Sequence, residues 1–224
     1  MKAQKLRGRE KILSARIASI LVFATLLLSV PLAQAVPITI EITGNITSVG
    51  GDVGSIPSTI YAGVSFTGTY TYDSLTLDSD PDPHRGIYVH DAPYGLSIIL
   101  GGYEFKTAPN HTGNFEMQIS DDSSVNGVWD YYAVGSDQII SVPSSGFTTN
   151  YISWGLGDST HTALSSDALP VIAPVLTNWD RNVLTISGSG EHGLSIKGTV
   201  TQAVPEPLTG VLMLIGLLFF RRRR

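Results

Sequence analysis

The chain has 224 residues, 42% of them hydrophobic and none a cysteine, which excludes thiol catalysis, thiolate metal sites and disulfide staples. Its formal charge of −5 is unevenly spread, with six of the 14 basic residues in the first 16 positions and four at the last four. Residues 36–203 between them carry four basic and seventeen acidic side chains, a formal charge of −13 that repels phosphate backbones and argues against nucleic-acid binding.

Residues 1–35 have the three-part build of a secretory signal peptide. A basic segment leads into the apolar run from Ile17 to Val30, followed by Pro31 and the small-residue site Ala33-Gln34-Ala35. The apolar run is short for a membrane span. Alanine at both Ala33 and Ala35 predicts cleavage after Ala35 and a mature chain starting at Val36.

From there the period-two alternation of strands recurs, and no amphipathic helix of useful length is seen. Ile38, Ile40 and Ile42 alternate with Thr39, Glu41 and Thr43. The clearest strand follows, with Val64, Phe66, Gly68, Tyr70 and Tyr72 set against Ser65, Thr67, Thr69 and Thr71. Further strands are predicted around Leu96–Leu100, Phe115–Ile119, Ile152–Leu156 and Leu194–Val200, with weaker ones at 86–90, 103–107, 129–134 and 183–187. Gly- and Asp-rich turns separate them, and residues 162–169 have room for one helical turn before Pro170. About ten short strands, each with one polar face, predict an all-β antiparallel β-sandwich, jelly-roll-like, over residues 36–203. A barrel is the second choice.

The body offers few candidate sites. Asp78, Asp80 and Asp82 place three carboxylates at alternate positions, a pattern able to supply oxygens to Ca²⁺, although the glycine and distal glutamate of an EF-hand are missing. A solvated acidic turn is the plainer reading. Gly157-Asp158-Ser159 with His161 nearby has the residue types of an esterase fragment in the setting of a loop, and Glu104 with Glu116 is one of many conceivable carboxylate pairs. No HExxH, G-x-S-x-G or P-loop motif is present. Trp129, Tyr131, Tyr132, Trp154 and Trp179 either fill the core or present sugar-binding faces, and core packing is the favoured expectation.

The chain ends in Val204, then Pro205-Glu206-Pro207, an apolar segment at 208–220, and Arg221, Arg222, Arg223 and Arg224. As a helix the apolar segment spans ~20 Å, thin for a permanent anchor, and the arginines hold its end on the cytoplasmic side. The remainder is thereby directed across the membrane. Taken together, residues 204–224 resemble the PEP-CTERM sorting tail: the motif Pro205, Glu206, Pro207, a short hydrophobic helix, and a terminal arginine cluster as membrane stop. The body is similar to a β-rich domain often found ahead of such tails, through Phe66–Asp73, Ser166–Pro170 and Gly198–Thr201. The resemblance implies that an exosortase is the partner, that the membrane holds the protein only before processing, and that the cell surface or an exopolysaccharide matrix is the destination. No cofactor is implied. The expectation is a non-enzymatic surface or matrix protein, with a secreted carbohydrate-binding module and a secreted hydrolase as alternatives.

Overall fold

The structure, a computed structural model, describes residues 37–51, 56–123, 129–142, 148–189 and 193–206. The signal segment with Ala33 and Ala35, Pro207, the apolar segment 208–220 and Arg221–Arg224 lie outside the described residues.

Eleven strands are described: β1 (Pro37–Gly51), β2 (Ser65–Asp73), β3 (Arg85–His90), β4 (Gly95–Leu100), β5 (Tyr103–Thr107), β6 (Phe115–Ser123), β7 (Trp129–Ser136), β8 (Ile139–Val142), β9 (Thr148–Asp158), β10 (Arg181–Ser189) and β11 (Leu194–Pro205). All of them join one antiparallel sheet in the order β3-β6-β7-β9-β10-β11-β1-β2-β4-β5-β8. The all-β antiparallel expectation holds. Instead of two separate sheets, however, a single sheet curls over on itself. β4 comes to lie against β7, and β8 against β9.

The alternation seen in the sequence produces the curl's interior. In β2, Phe66, Gly68, Tyr70 and Tyr72 point inward and are buried, while Ser65 and Thr67 are exposed. The inward faces of the two limbs meet in the middle. The Tyr70 and Tyr132 hydroxyls are hydrogen-bonded at 2.7 Å, although four strands separate β2 from β7 in sheet order. Trp154 of β9 packs on both, with ring centroids 5.9 Å from Tyr70 and 5.9 Å from Tyr132.

Long, bent central strands let one sheet serve as both layers. The sequence alternation points to a strand over 38–43, whereas β1 runs on to Gly51, with register shifts against β11 after Thr43 and after Ile46. Such irregularities kink a strand and raise its twist. Gly44 sits at the first shift, where a Cβ would come within 2.1 Å of the Thr199 carbonyl oxygen, so a side chain has no room there.

Two other differences have local causes. β8 is only four residues long, too short for its alternation to register. Residues 162–169 form no helical turn, and their first amides anchor the segment to carboxylates of the sheet. Thr162 and Ala163 donate to Asp158, and Leu164 donates to Asp130. The described 3₁₀ turn lies later, at Leu176–Asn178.

Candidate functional site

Asp78, Asp80 and Asp82 do not converge. Each carboxylate caps a local turn by accepting the amide two residues on, from Asp80, Asp82 and His84 respectively, at 2.9, 2.9 and 3.0 Å. Asp78 accepts the Ile87 amide as well. The second oxygen of Asp80 takes both Nε and a terminal nitrogen of Arg85 at 2.6 Å. The Asp82 amide and then Arg85 hold the Asp80 carboxyl below the ordinary carboxylate range. These acids thus brace the loop between β2 and β3, through Oδ1 of Asp78 and Asp82 and both oxygens of Asp80.

The esterase-like fragment is also taken apart. The Ser159 hydroxyl donates to Asp180, not to a histidine. Asp158 accepts the amides of Thr160, Thr162 and Ala163 and the hydroxyl of Thr160, and these donors press its pKa far down. His161 donates to Asp122 at 2.7 Å. Glu104 lies in β5, hydrogen-bonded to Ser97 and Lys106, while Glu116 lies in β6 near the opposite edge of the sheet.

Among the described residues one metal-compatible group does form, from side chains far apart in the sequence. Asp122 on β6, Asp130 on β7 and His161 in the loop after β9 each bring a ligand atom within 4.8 Å of the others. Asp130 is fully buried. Its two oxygens already accept the Asp122 and Leu164 amides, and Asp122 accepts from His161, so the group is satisfied as it stands. Burial, followed by repulsion from Asp130 and Asp122, raises the pKa of neighbouring Asp121.

The aromatic residues divide between interior and surface. Tyr132 and Trp154 are in the core and Trp179 packs against it, as the favoured expectation had it. Trp129 and Tyr131 instead point outward from β7 and are joined by Tyr151 of β9, which sequence reasoning overlooked. Trp129 and Tyr151 are 37% and 42% exposed. Each ring leans diagonally across the sheet onto a glycine of the neighbouring strand. A Cβ on Gly157 would meet the Trp129 ring at 3.3 and 3.6 Å. One on Gly155 would meet the hydroxyl end of the Tyr131 ring at 3.3, 3.6 and 3.8 Å. One on Gly135 would meet Tyr151 at 2.9 and 3.4 Å. Cross-strand register sets the glycines Gly157, Gly155 and Gly135 level with Tyr131, Ala133 and Ser153. The three rings therefore step along the strands at intervals of ~7 Å.

Two shallow troughs flank this row. One, of ≈ 170 Å³, is bordered by Glu116, Gln118, Tyr131, Asp137 and Tyr151. The other, of ≈ 470 Å³, is bordered by Gln118, Trp129, Tyr131, Gly157 and Arg181. Burial and then the charge of Asp137 raise the Glu116 pKa. Burial raises that of the Tyr131 phenol, with Tyr151 adding to the effect and Arg181 opposing it.

The C-terminal end of β11 lies in the middle of the sheet. Pro205 is the last residue of β11, paired with Ile40, and the Glu206 amide donates to the Thr39 carbonyl at 3.0 Å. No family model, curated protein or solved structure matches the chain.

Proposed function

We propose that this is an exported, non-enzymatic surface or matrix protein, carried across the inner membrane by residues 1–35 and sorted by an exosortase that recognises the PEP-CTERM-type tail, residues 204–224. The observation that carries the reading is the tail's composition and order: Pro205-Glu206-Pro207, an apolar segment too short for a comfortable span, and four arginines. The prolines keep the recognition segment extended.

The fold is compatible with two cuts. The first strand starts at Pro37, two residues beyond Ala35, and the last ends at Pro205. Removing everything before Val36 takes nothing from the described sheet. A cut after Pro205 costs one backbone hydrogen bond, from Glu206 to Thr39. The described body is bounded by the two processing points. Its curled sheet, with limbs joined through Tyr70 and Tyr132, supports describing it as a jelly-roll-like sandwich.

Intact-mass measurement on the protein from its native host tests the proposal. The expected species starts at Val36 and ends near Pro205. A chain that keeps Arg224 would overturn exosortase processing, and one that keeps Met1 and Arg224 in the cytosol would overturn export altogether.

A further inference from the structure

We propose that the outer face of β6, β7, β9 and β10 binds a neutral saccharide chain stacked on Trp129, Tyr131 and Tyr151. This rests on the reading of the body as an exported, non-enzymatic domain, and adds the partner it engages.

Three features of the face select this ligand. The first is the row of rings. Each rests against a glycine, which lowers it into the sheet, while Trp129 and Tyr151 stay substantially exposed and Tyr131 partly so, so that the row is a platform rather than a set of protruding side chains. Sugar rings present faces of C–H groups that pack on aromatic faces, and three stations spread over ~14 Å suit an extended chain more than a compact molecule.

The second feature is the rim. Gln118, Glu116, Asp137 and Arg181 border the troughs beside the rings. Amide, carboxylate and guanidinium groups together offer donors and acceptors of the kind that hydroxyls satisfy. Arg181, at the border of the larger trough, makes no ion pair among the described residues. An apolar peptide on this face would bury these groups without partners.

The third feature is charge. Glu116 and Asp137 lie in the trough of a body whose formal charge is −13, and the single guanidinium of Arg181 does not offset them. Polyanionic chains are repelled at long range, whereas a neutral chain pays no such penalty. Covering the glycines accounts for where the rings lie; it does not call for a polar rim around them.

The test uses the full chain purified in a detergent without a sugar headgroup. Gluco-, manno- and xylohexaose are the neutral probes and a polyuronate of the same length is the anionic one, with binding read by calorimetry and by tryptophan fluorescence. At least one neutral hexaose should bind. Trp129→Ala and Tyr151→Ala should each weaken it roughly tenfold or more, as for aromatic anchors at interfaces. Trp129→Phe should weaken it less, Gln118→Ala should weaken it without touching a ring, and Leu77→Ala, at a side chain 86% exposed elsewhere, should leave it unchanged. If the alanine variants fail to fold, Trp129→Phe and Gln118→Ala decide. The proposal is overturned if no neutral hexaose binds at millimolar concentration, if only the polyuronate binds, or if the ring and Gln118 variants bind like the parent. Hexaose binding by a protein whose native termini are uncut would overturn the sorting reading alone, and correctly cut termini without binding would overturn the platform alone.

Discussion

Replacing Tyr132 with phenylalanine removes one oxygen atom and tests whether the two limbs of the sheet are latched through their interior. Tyr70 and Tyr132 are at most 1% exposed, and their hydroxyls are hydrogen-bonded to each other at 2.7 Å. Burial raises both pKa values well beyond the normal phenol range, as expected of hydroxyls held in a dry interior. In Tyr132→Phe the Tyr70 hydroxyl stays buried and loses its partner, which costs about 2 kcal/mol. Tyr70→Phe leaves Tyr132 in the same position and should cost about the same. In the double variant no orphan remains, and only two small voids oppose folding, at about 1 kcal/mol or less. The two single losses should therefore exceed the double loss by roughly 3 kcal/mol, the upper end of the range for residues in contact. Urea unfolding followed by near-ultraviolet circular dichroism measures all four corners of the cycle. For a domain of this size each single variant should also melt about 4–8 °C lower. Additive losses would mean that the hydroxyls are satisfied independently, and the latch would not exist.

Two predictions concern acid. His90 is 2% exposed among Tyr72, Tyr94 and Phe115, its Nε2 has no hydrogen-bond partner among the described residues, and burial lowers its pKa, with Asp73 opposing the shift and His111 reinforcing it. The unfolded chain, with a histidine pKa of ~6.5, therefore takes up the proton first. Stability is full above about pH 6.5 and declines as pH falls towards the folded-state pKa. His90→Phe keeps a ring in place and should flatten the melting temperature over that window; an unchanged slope would assign the acid sensitivity elsewhere. Asp158 is the opposite case, a carboxyl whose folded-state pKa is depressed by the Thr162 and Thr160 donors. Its contribution is present above about pH 4 and is lost as pH falls through the folded-state value. Asp158→Asn turns an amide donor towards those donors and should lower the melting temperature at neutral pH while flattening its fall below pH 4. Equal melting temperatures for parent and variant at pH 7 would contradict the role given to Asp158.

The strands were legible because inward and outward residues alternate so regularly: in β2 no inward position is polar apart from the tyrosine hydroxyl ends. What escaped were features that depend on pairing. The alternation around Gly44 is uninterrupted, yet the register against β11 shifts there, and only the bend that follows turns two expected layers into one sheet. The site was harder still. Trp129 and Trp154 look alike in sequence, each in an apolar strand, and which one faces solvent depends on strand parity set by partners far along the chain. Asp122, Asp130 and His161 are separated by eight and thirty-one positions and meet only because β7 pairs with β6 and returns beside the loop after β9. The acids that did stand out, Asp78, Asp80 and Asp82, are conspicuous for a local reason: aspartates at alternate positions cap successive turns.

The position of β1 and β11 ties this fold to the proposed sorting. They are the strands nearest the two ends of the chain, and they pair at the centre of the sheet, with five strands on one side and four on the other. Closing that pair brings together residues as distant as Ile40 and Pro205, the kind of contact that forms late and slowly. Until β11 arrives, β1 exposes a long hydrogen-bonding edge, a template for association with other chains. A tail that begins at the last residue of β11 can hold the chain at the membrane while this closure takes place. A cut ten residues upstream would remove the β11 partners of Ile40 through Val49 and reopen the sheet at its middle. On the proposed sorting, recognition at Pro205 and Glu206 would let the enzyme release a body whose central pair is already made.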